Sequence, residues 1–360
     1  MPASDRASGV HWRPRLALAV AGGLLAAYAT LRAYRAAPGH HDFGQVWFAS
    51  RAILRGENPY HLIGPGLEYD WPWPFLYPLV SAIATLPLAP FPEAFAAAIF
   101  TFMGGAVFAW ALMEHGYAPL AGFCSGALLA AASGGQWAPL LVSSVVIPAI
   151  GILYVAKPTV AAAYFVARPT WWPIIGGIVL AAIAFAVQPT WISDWRQAME
   201  WNRARWASST HFRAIVTVPG GFVAILCLLR WRRPEARLVA ALACVPLTPA
   251  PYETVPLFLV PRTAGEAALL SAASFAVQFR LDAITPTLGS DRARFEYVAS
   301  LLAWVMYPLA TAMVLRRPNE GEVSAWLERR IAGWPTWLRG VPISPTAIAP
   351  HVQSHRPGQR

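Results

Sequence analysis

The chain has 360 residues, of which 56% are hydrophobic and only 13% charged, with a formal net charge of +10. A soluble domain normally carries about a quarter of its residues as charges, so the composition excludes that class and predicts an all-α polytopic membrane protein. The positive balance does not point to nucleic acid, because the arginines are scattered at the ends of apolar runs, where they orient helices and meet anionic membrane lipids.

The first apolar run, residues 16–34, follows Arg13 and Arg15 as a signal core would. It is longer than such cores and lacks a small-x-small cleavage site, so it reads as a retained signal anchor. Further stretches that approach the roughly 20 residues needed to cross a bilayer are 93–113, 118–133, 171–187, 214–230, 237–248 and 297–315. Between them lie shorter apolar pieces at 138–147, 148–156, 159–167, 254–260 and 264–279. These read as broken helices, which a bilayer tolerates only where protein buries their freed backbone groups. Together the segments predict roughly ten to twelve spans, with both termini inside. The basic loop Arg230, Arg232, Arg233 and Arg237, and the pair Arg316 and Arg317, set that orientation. The resulting organisation is a cytoplasmic N-terminus (1–15), a membrane domain (16–315) and a Pro- and Arg-rich cytoplasmic tail (316–360). The tail is expected to be flexible, with a short amphipathic helix near 322–332. Arginine dominance, with Lys157 the only lysine, suggests a GC-rich bacterial genome and hence a bacterial cytoplasmic membrane. Cys124, Cys227 and Cys244 lack metal-ligand spacing and are odd in number, so they read as small core residues.

The chemistry concentrates in the wet segment 40–92. Asp42 follows the first span and precedes an amphipathic stretch, so it can cap that helix through its side chain or act as a reactive carboxylate. His40 and His41 are adjacent and lack the i, i+4 spacing that aims two rings at one metal. They read as interfacial residues, with His41 alternatively a partner of Asp42 or of a sugar. Glu68 and Asp70 flank Tyr69, and Trp71 and Trp73 follow. Those rings suit either the membrane interface or the C–H face of a sugar. Arg51 and Arg55 share a helix face and can hold a phosphate or lipid headgroups. Lys157 lies between long apolar runs, a costly placement that marks a functional hypothesis, either a phosphate ligand or one half of an ion pair. His211, in the polar stretch 194–213, belongs either to an interfacial linker helix anchored by Trp195, Trp201 and Trp206 or to a cover over a bound ligand. Glu253 can contact a sugar or pair with Lys157. No phosphate-binding loop, nucleophile elbow or zinc motif stands in usable context, so neither a cofactor nor a metal is implied.

Several motifs in chain order resemble glycosyltransferase family 87. They are Asp42-Phe43, the run Ala52-Ile53-Leu54-Arg55-Gly56 with Asn58-Pro59-Tyr60, Tyr77-Pro78-Leu79 with Pro87-Leu88, Gly135-Gln136, Lys157-Pro158, and the polar turn at 249–253. The chain departs from the family in a short interval between Gln136 and Lys157, in Leu79 where a second proline is common, and in Trp137-Ala138-Pro139 where asparagine often follows. The resemblance implies a C-type glycosyltransferase fold with a large outer first loop (35–92). It also implies a hexosyltransferase that takes a sugar, often mannose, from a polyprenyl-phosphate donor to a lipid or glycan acceptor on the outer face of the membrane. It places the general base at Asp42 and contacts to substrate at Asn58, Tyr60, Tyr77, Gln136 and Lys157. Two rival readings are a transporter or flippase of lipid-linked sugars, which inverted repeats would support, and an inactive membrane subunit.

Overall fold

A computed structural model describes residues 11–37, 41–205, 213–247, 249–321, 323 and 325–341. His40 and His211 lie outside the described residues. The first half of the chain forms α1 (Trp12–Ala36), α2 (Asp42–Leu54), α3 (Leu79–Thr85), α4 (Glu93–Leu112), α5 (Gly126–Gly134) and α6 (Ala138–Val142). The second half forms α7 (Pro158–Ala167), α8 (Trp172–Val187), α9 (Trp191–Arg205), α10 (Pro234–Cys244), α11 (Ala264–Ile284), α12 (Asp291–Leu301), α13 (Tyr307–Leu315), α14 (Ala325–Arg330) and α15 (Thr336–Arg339). The strands are minimal: β1 (Ile63–Gly64) runs parallel to β2 (Tyr69–Asp70), and β3 (Arg213–Ala214) antiparallel to β4 (Pro246–Leu247).

Among the described residues, four helices are long and apolar enough to cross a bilayer: Trp12–Ala36, Glu93–His115, Ala264–Thr287 and Asp291–Leu315. The number rises to six if two bent pairs each count as one span, one bent by 119° between Gly134 and Ala138 and the other by 95° between Val187 and Trp191. This is fewer than the roughly ten to twelve spans read from hydropathy, and the backbone explains the difference. The run 118–133 breaks where Ser125 caps α5, its side chain accepting from the Leu128 N–H at 3.2 Å. The run 214–230 is interrupted at Pro219-Gly220 and continues as a tight 3-10 helix, Gly221–Arg230. The run 237–248 supplies only α10, which begins at Pro234 and has 11 residues. In the opposite sense, the run 264–279 extends to Ile284 and becomes a full-length span.

α1 and α4 pack antiparallel. Tyr34 at the end of α1 donates to Glu93 at the start of α4 (3.1 Å), while Arg15 near the start of α1 donates to the Trp110 carbonyl (2.9 Å) and pairs with Glu114 (3.0 Å). Small residues allow that close approach: Gly22, Gly23 and Ala26 face Phe102, Gly105 and Ala109, as expected where apolar helices associate by shape rather than by exclusion of water. The π-turn Leu302–Met306 joins α12 to α13. It widens the helix just ahead of Pro308, which has no N–H to give and would crowd a regular turn. α8 leaves Ile174, Ile175, Ile178, Val179 and Ile183 exposed, a surface suited to lipid rather than water. Of the three cysteines only Cys227 is a core residue; Cys124 and Cys244 are exposed.

The tail departs from expectation through residue 341. Arg232, fully buried, pairs with Glu328 through both terminal nitrogens (2.6 and 2.8 Å). The Trp231 indole donates to the Leu338 carbonyl (2.7 Å), and Glu320 bridges Val341. The segment that composition marks as flexible is therefore folded onto the basic loop before α10, with α14 forming inside the expected amphipathic helix.

Candidate functional site

Asp42 opens α2, but it is not the cap. The N-cap position belongs to His41, which makes no side-chain cap bond. The Asp42 carboxylate instead accepts from the Gln136 amide at 2.5 Å, across 94 residues of chain. Gly135 makes this meeting possible. It ends α5 in the left-handed conformation (φ +65), and an added Cβ would lie 2.5 Å from that of Phe43. Only glycine combines that backbone with that proximity. Gly44 plays the second such part, since a Cβ there would collide with the Tyr69 hydroxyl and the Glu93 carboxylate.

Asp42 stands on the wall of a cavity of about 400 Å³. The wall combines chain breaks and helix starts with side chains from within α9 and α12. Asp42 and Gln45 come from α2, Trp73 and Tyr77 from the first loop, and Lys157 from the junction into α7. Tyr252 and Glu253 come from the start of the 3-10 helix Pro251–Leu259, Trp195 and Met199 from α9, and Arg294, Phe295 and Val298 from α12. Lys157 precedes Pro158, which opens α7 with the N–H it lacks at a position where none is needed. Its ammonium donates to Glu253 at 2.9 Å and lies 5.4 Å from the centre of the Tyr252 ring. The ion pair with Glu253 considered for Lys157 is present in the structure. The second carboxylate oxygen of Glu253 and the amide oxygen of Gln136 are buried, with no hydrogen-bond partner among the described residues. Such orphaned acceptors are uncommon. Burial holds the Asp42 carboxyl above the usual carboxylate range, with Lys157, the Gln136 hydrogen bond and His41 pulling it back down.

The remaining expected residues surround this centre at different depths. Tyr77 lines the cavity, and its carbonyl accepts from the buried Tyr60 hydroxyl at 3.0 Å. Asn58 caps the short helix Pro59–His61 and donates to Asp194 on α9 at 2.8 Å. Tyr60 and Asn58 thus shape the loop and tie it to α9. His41 leans on Tyr34, with ring centroids 4.0 Å apart, and shares a bond with the Ala37 carbonyl. Arg51 is exposed and lies over Trp47, while Arg55 pairs with Glu57 and Glu68; neither lines the cavity. Asp70 accepts from the Gly66 N–H, so the loop acids are not gathered around Asp42. Among the described residues no group of three His, Cys, Asp or Glu stands close enough to hold a metal ion.

Sequence reasoning overlooked Gln45 and Arg294. Gln45 sits one helical turn after Asp42 and is 7% exposed; its i, i+3 spacing from the acid was the available signal. Arg294 belongs to a stretch whose other basic residue, Arg292, has an i, i+4 partner in Glu296 (3.1 Å). Nothing in that run showed that Arg294 reaches the same cavity wall as Asp42.

At the opposite end of the bundle, beside Glu114, a larger cavity of about 710 Å³ is lined by Arg168, Arg232, Arg233, Arg237 and Arg262. There Glu235, 4% exposed, accepts from Arg233, Arg262 and Arg317 at 3.0, 3.2 and 3.3 Å. α7 runs from Lys157 at one cavity to Arg168 at the other. Its length of about 15 Å is half of a typical hydrocarbon core.

No protein-family model, curated protein or solved structure matches the chain.

Proposed function

We propose that the chain is an integral-membrane glycosyltransferase that moves a hexose from a polyprenyl-phosphate donor to a lipid or glycan hydroxyl on the outer face of the cytoplasmic membrane. The observation that carries this reading is the Asp42 carboxylate on a cavity wall, held by Gln136 rather than spent on capping its own helix. The resemblance to glycosyltransferase family 87 adds to it, because motifs far apart in sequence, Asp42, Gln136, Lys157 and Glu253, meet around that cavity.

In this reaction the acceptor hydroxyl attacks the anomeric carbon, its proton passes to Asp42, and the bond from that carbon to the phosphate oxygen breaks, releasing polyprenyl phosphate. A carboxylate accepts such a proton once it is ionised. The free oxygen of Glu253 can accept from a sugar hydroxyl, and the faces of Trp73, Trp195, Tyr77 and Tyr252 offer stacking surfaces. The arginine-rich end opposite the cavity suits a cytoplasmic position, which leaves the cavity on the outer side.

Membranes containing the protein, incubated with radiolabelled polyprenyl-phosphate-mannose, are expected to move label into an acceptor fraction that membranes without it do not label. Absence of transfer from mannose and from other hexose donors alike would sink the reading.

A further inference from the structure

We propose that Arg294, not Lys157, holds the phosphate of the lipid-linked sugar, an assignment that rests on the lipid-phosphate reading above. The argument begins with the charges on the cavity wall. Asp42, Glu253 and Lys157 stand together at one side, and the lysine is already paired with Glu253 at 2.9 Å. With Asp42 ionised, two carboxylates face one ammonium, and a phosphate brought there meets net negative charge. A monoanion or dianion is disfavoured where like charges share a site of low dielectric.

Among the described residues Arg294 is the other cation on the wall, and it is exposed. Its guanidinium has no ion pair or side-chain hydrogen bond with the described residues, whereas its neighbours are engaged. Arg292 pairs with Glu296, and Arg280 donates to the Tyr297 hydroxyl at 2.8 Å. A planar guanidinium with open donors matches phosphate oxygens in geometry as well as charge.

The surroundings of Arg294 fit a phosphate that carries a hydrocarbon chain. It sits in the first turn of the span Asp291–Leu315, and the wall beside it is Leu281 from the span Ala264–Thr287, with Phe295 and Val298 from its own. A ligand lying this way places its polar ring toward Asp42 and the orphaned oxygen of Glu253, its phosphate at Arg294, and its tail along α11 and α12. The cavity is thus read as polarised: hydroxyl-accepting at one side, anion-binding at the other, and apolar beyond.

The test compares binding of citronellyl phosphate, a ten-carbon prenyl phosphate, with its uncharged alcohol citronellol, by calorimetry on the purified full chain in detergent. The wild type is expected to prefer the phosphate. Arg294→Gln is expected to lose that preference by roughly tenfold to a hundredfold, the scale of a hydrogen bond to a charged group. Arg294→Lys is expected to keep part of it, and Arg292→Gln all of it. A folded Arg294→Gln that retains the wild-type preference overturns the assignment while leaving the lipid-phosphate reading standing. A wild type that shows no preference for the phosphate overturns both.

Discussion

The two cavities of this protein are both lined by ionisable residues, and they differ in what those residues are left to do. In the arginine-rich cavity most of the charges are engaged, although one buried guanidinium nitrogen of Arg262 has no partner among the described residues. Glu235 gathers three arginines, Arg232 is clamped by Glu328, and Arg237 caps the Ala167 carbonyl at 2.7 Å. In the Asp42 cavity a carboxylate faces open space with one amide behind it, a buried glutamate has a spare oxygen, and an arginine on the wall is unpaired among the described residues. Burying a polar group without a partner costs free energy. A fold that leaves such groups open at one end and engages most of them at the other separates the part that holds the structure together from the part that meets a ligand.

Three substitutions sharpen that contrast. The largest effect is expected from Glu235→Gln, which takes the carboxylate away from Arg233, Arg262 and Arg317, leaving only Arg317 with a second acidic partner, Glu266 at 2.7 Å. Removing one partner of a buried ion pair costs about 3–5 kcal/mol. The loss is read as a lower melting temperature in detergent, and the protein that remains folded is expected to keep wild-type transfer kinetics. A kinetic defect without loss of stability would break the division between the two cavities.

Next is Lys157→Met, which leaves Glu253 buried and charged. It is expected to destabilise by an amount toward the lower end of the same range, about 3 kcal/mol, because the lysine side chain is 15% exposed. Adding Glu253→Gln should restore most of the melting temperature without restoring transfer. If the single variant is as stable as the wild type, the pair is not what holds these segments together.

The smallest and most specific effect belongs to Gln136→Leu. Burial raises the Asp42 carboxyl and the Gln136 bond lowers it, so removing that bond raises it further. A base must be deprotonated to act, so the acid limb of the pH profile of kcat/KM is expected to move to higher pH. Activity should fall most at the acid end of the profile and least at the alkaline end. An unchanged limb in a folded variant would mean that Gln136 does not tune the base.

Much of this site was legible in the sequence, because its residues sit in short motifs at the ends of apolar runs. Asp42, Gln136, Lys157 and Glu253 were each singled out by type and place, and they come together across intervals of 94 and 96 residues. Their pairing was harder to see. An isolated lysine between apolar runs reads the same whether it waits for phosphate or is bonded to a glutamate. The caps and breaks were less legible still. Hydropathy averages over about 20 residues, whereas Ser125, Gly135 and Pro219-Gly220 end or redirect helices through single backbone positions. The fold of the tail depends on Arg232 meeting Glu328, 96 residues away, and its Pro- and Arg-rich composition carries no sign of that contact.

The most direct test of the account is the rate of hexose transfer by Asp42→Asn, measured beside its donor binding and melting temperature. The account predicts transfer reduced by a factor of about 10²–10⁴, the usual contribution of a general base, with donor binding and folding close to wild type. An acid in the first turn of a helix contributes only about 0.3–1 kcal/mol to that helix, so a purely structural Asp42 would leave turnover nearly intact. A well-folded Asp42→Asn that transfers sugar within a few-fold of the wild type would contradict the central claim.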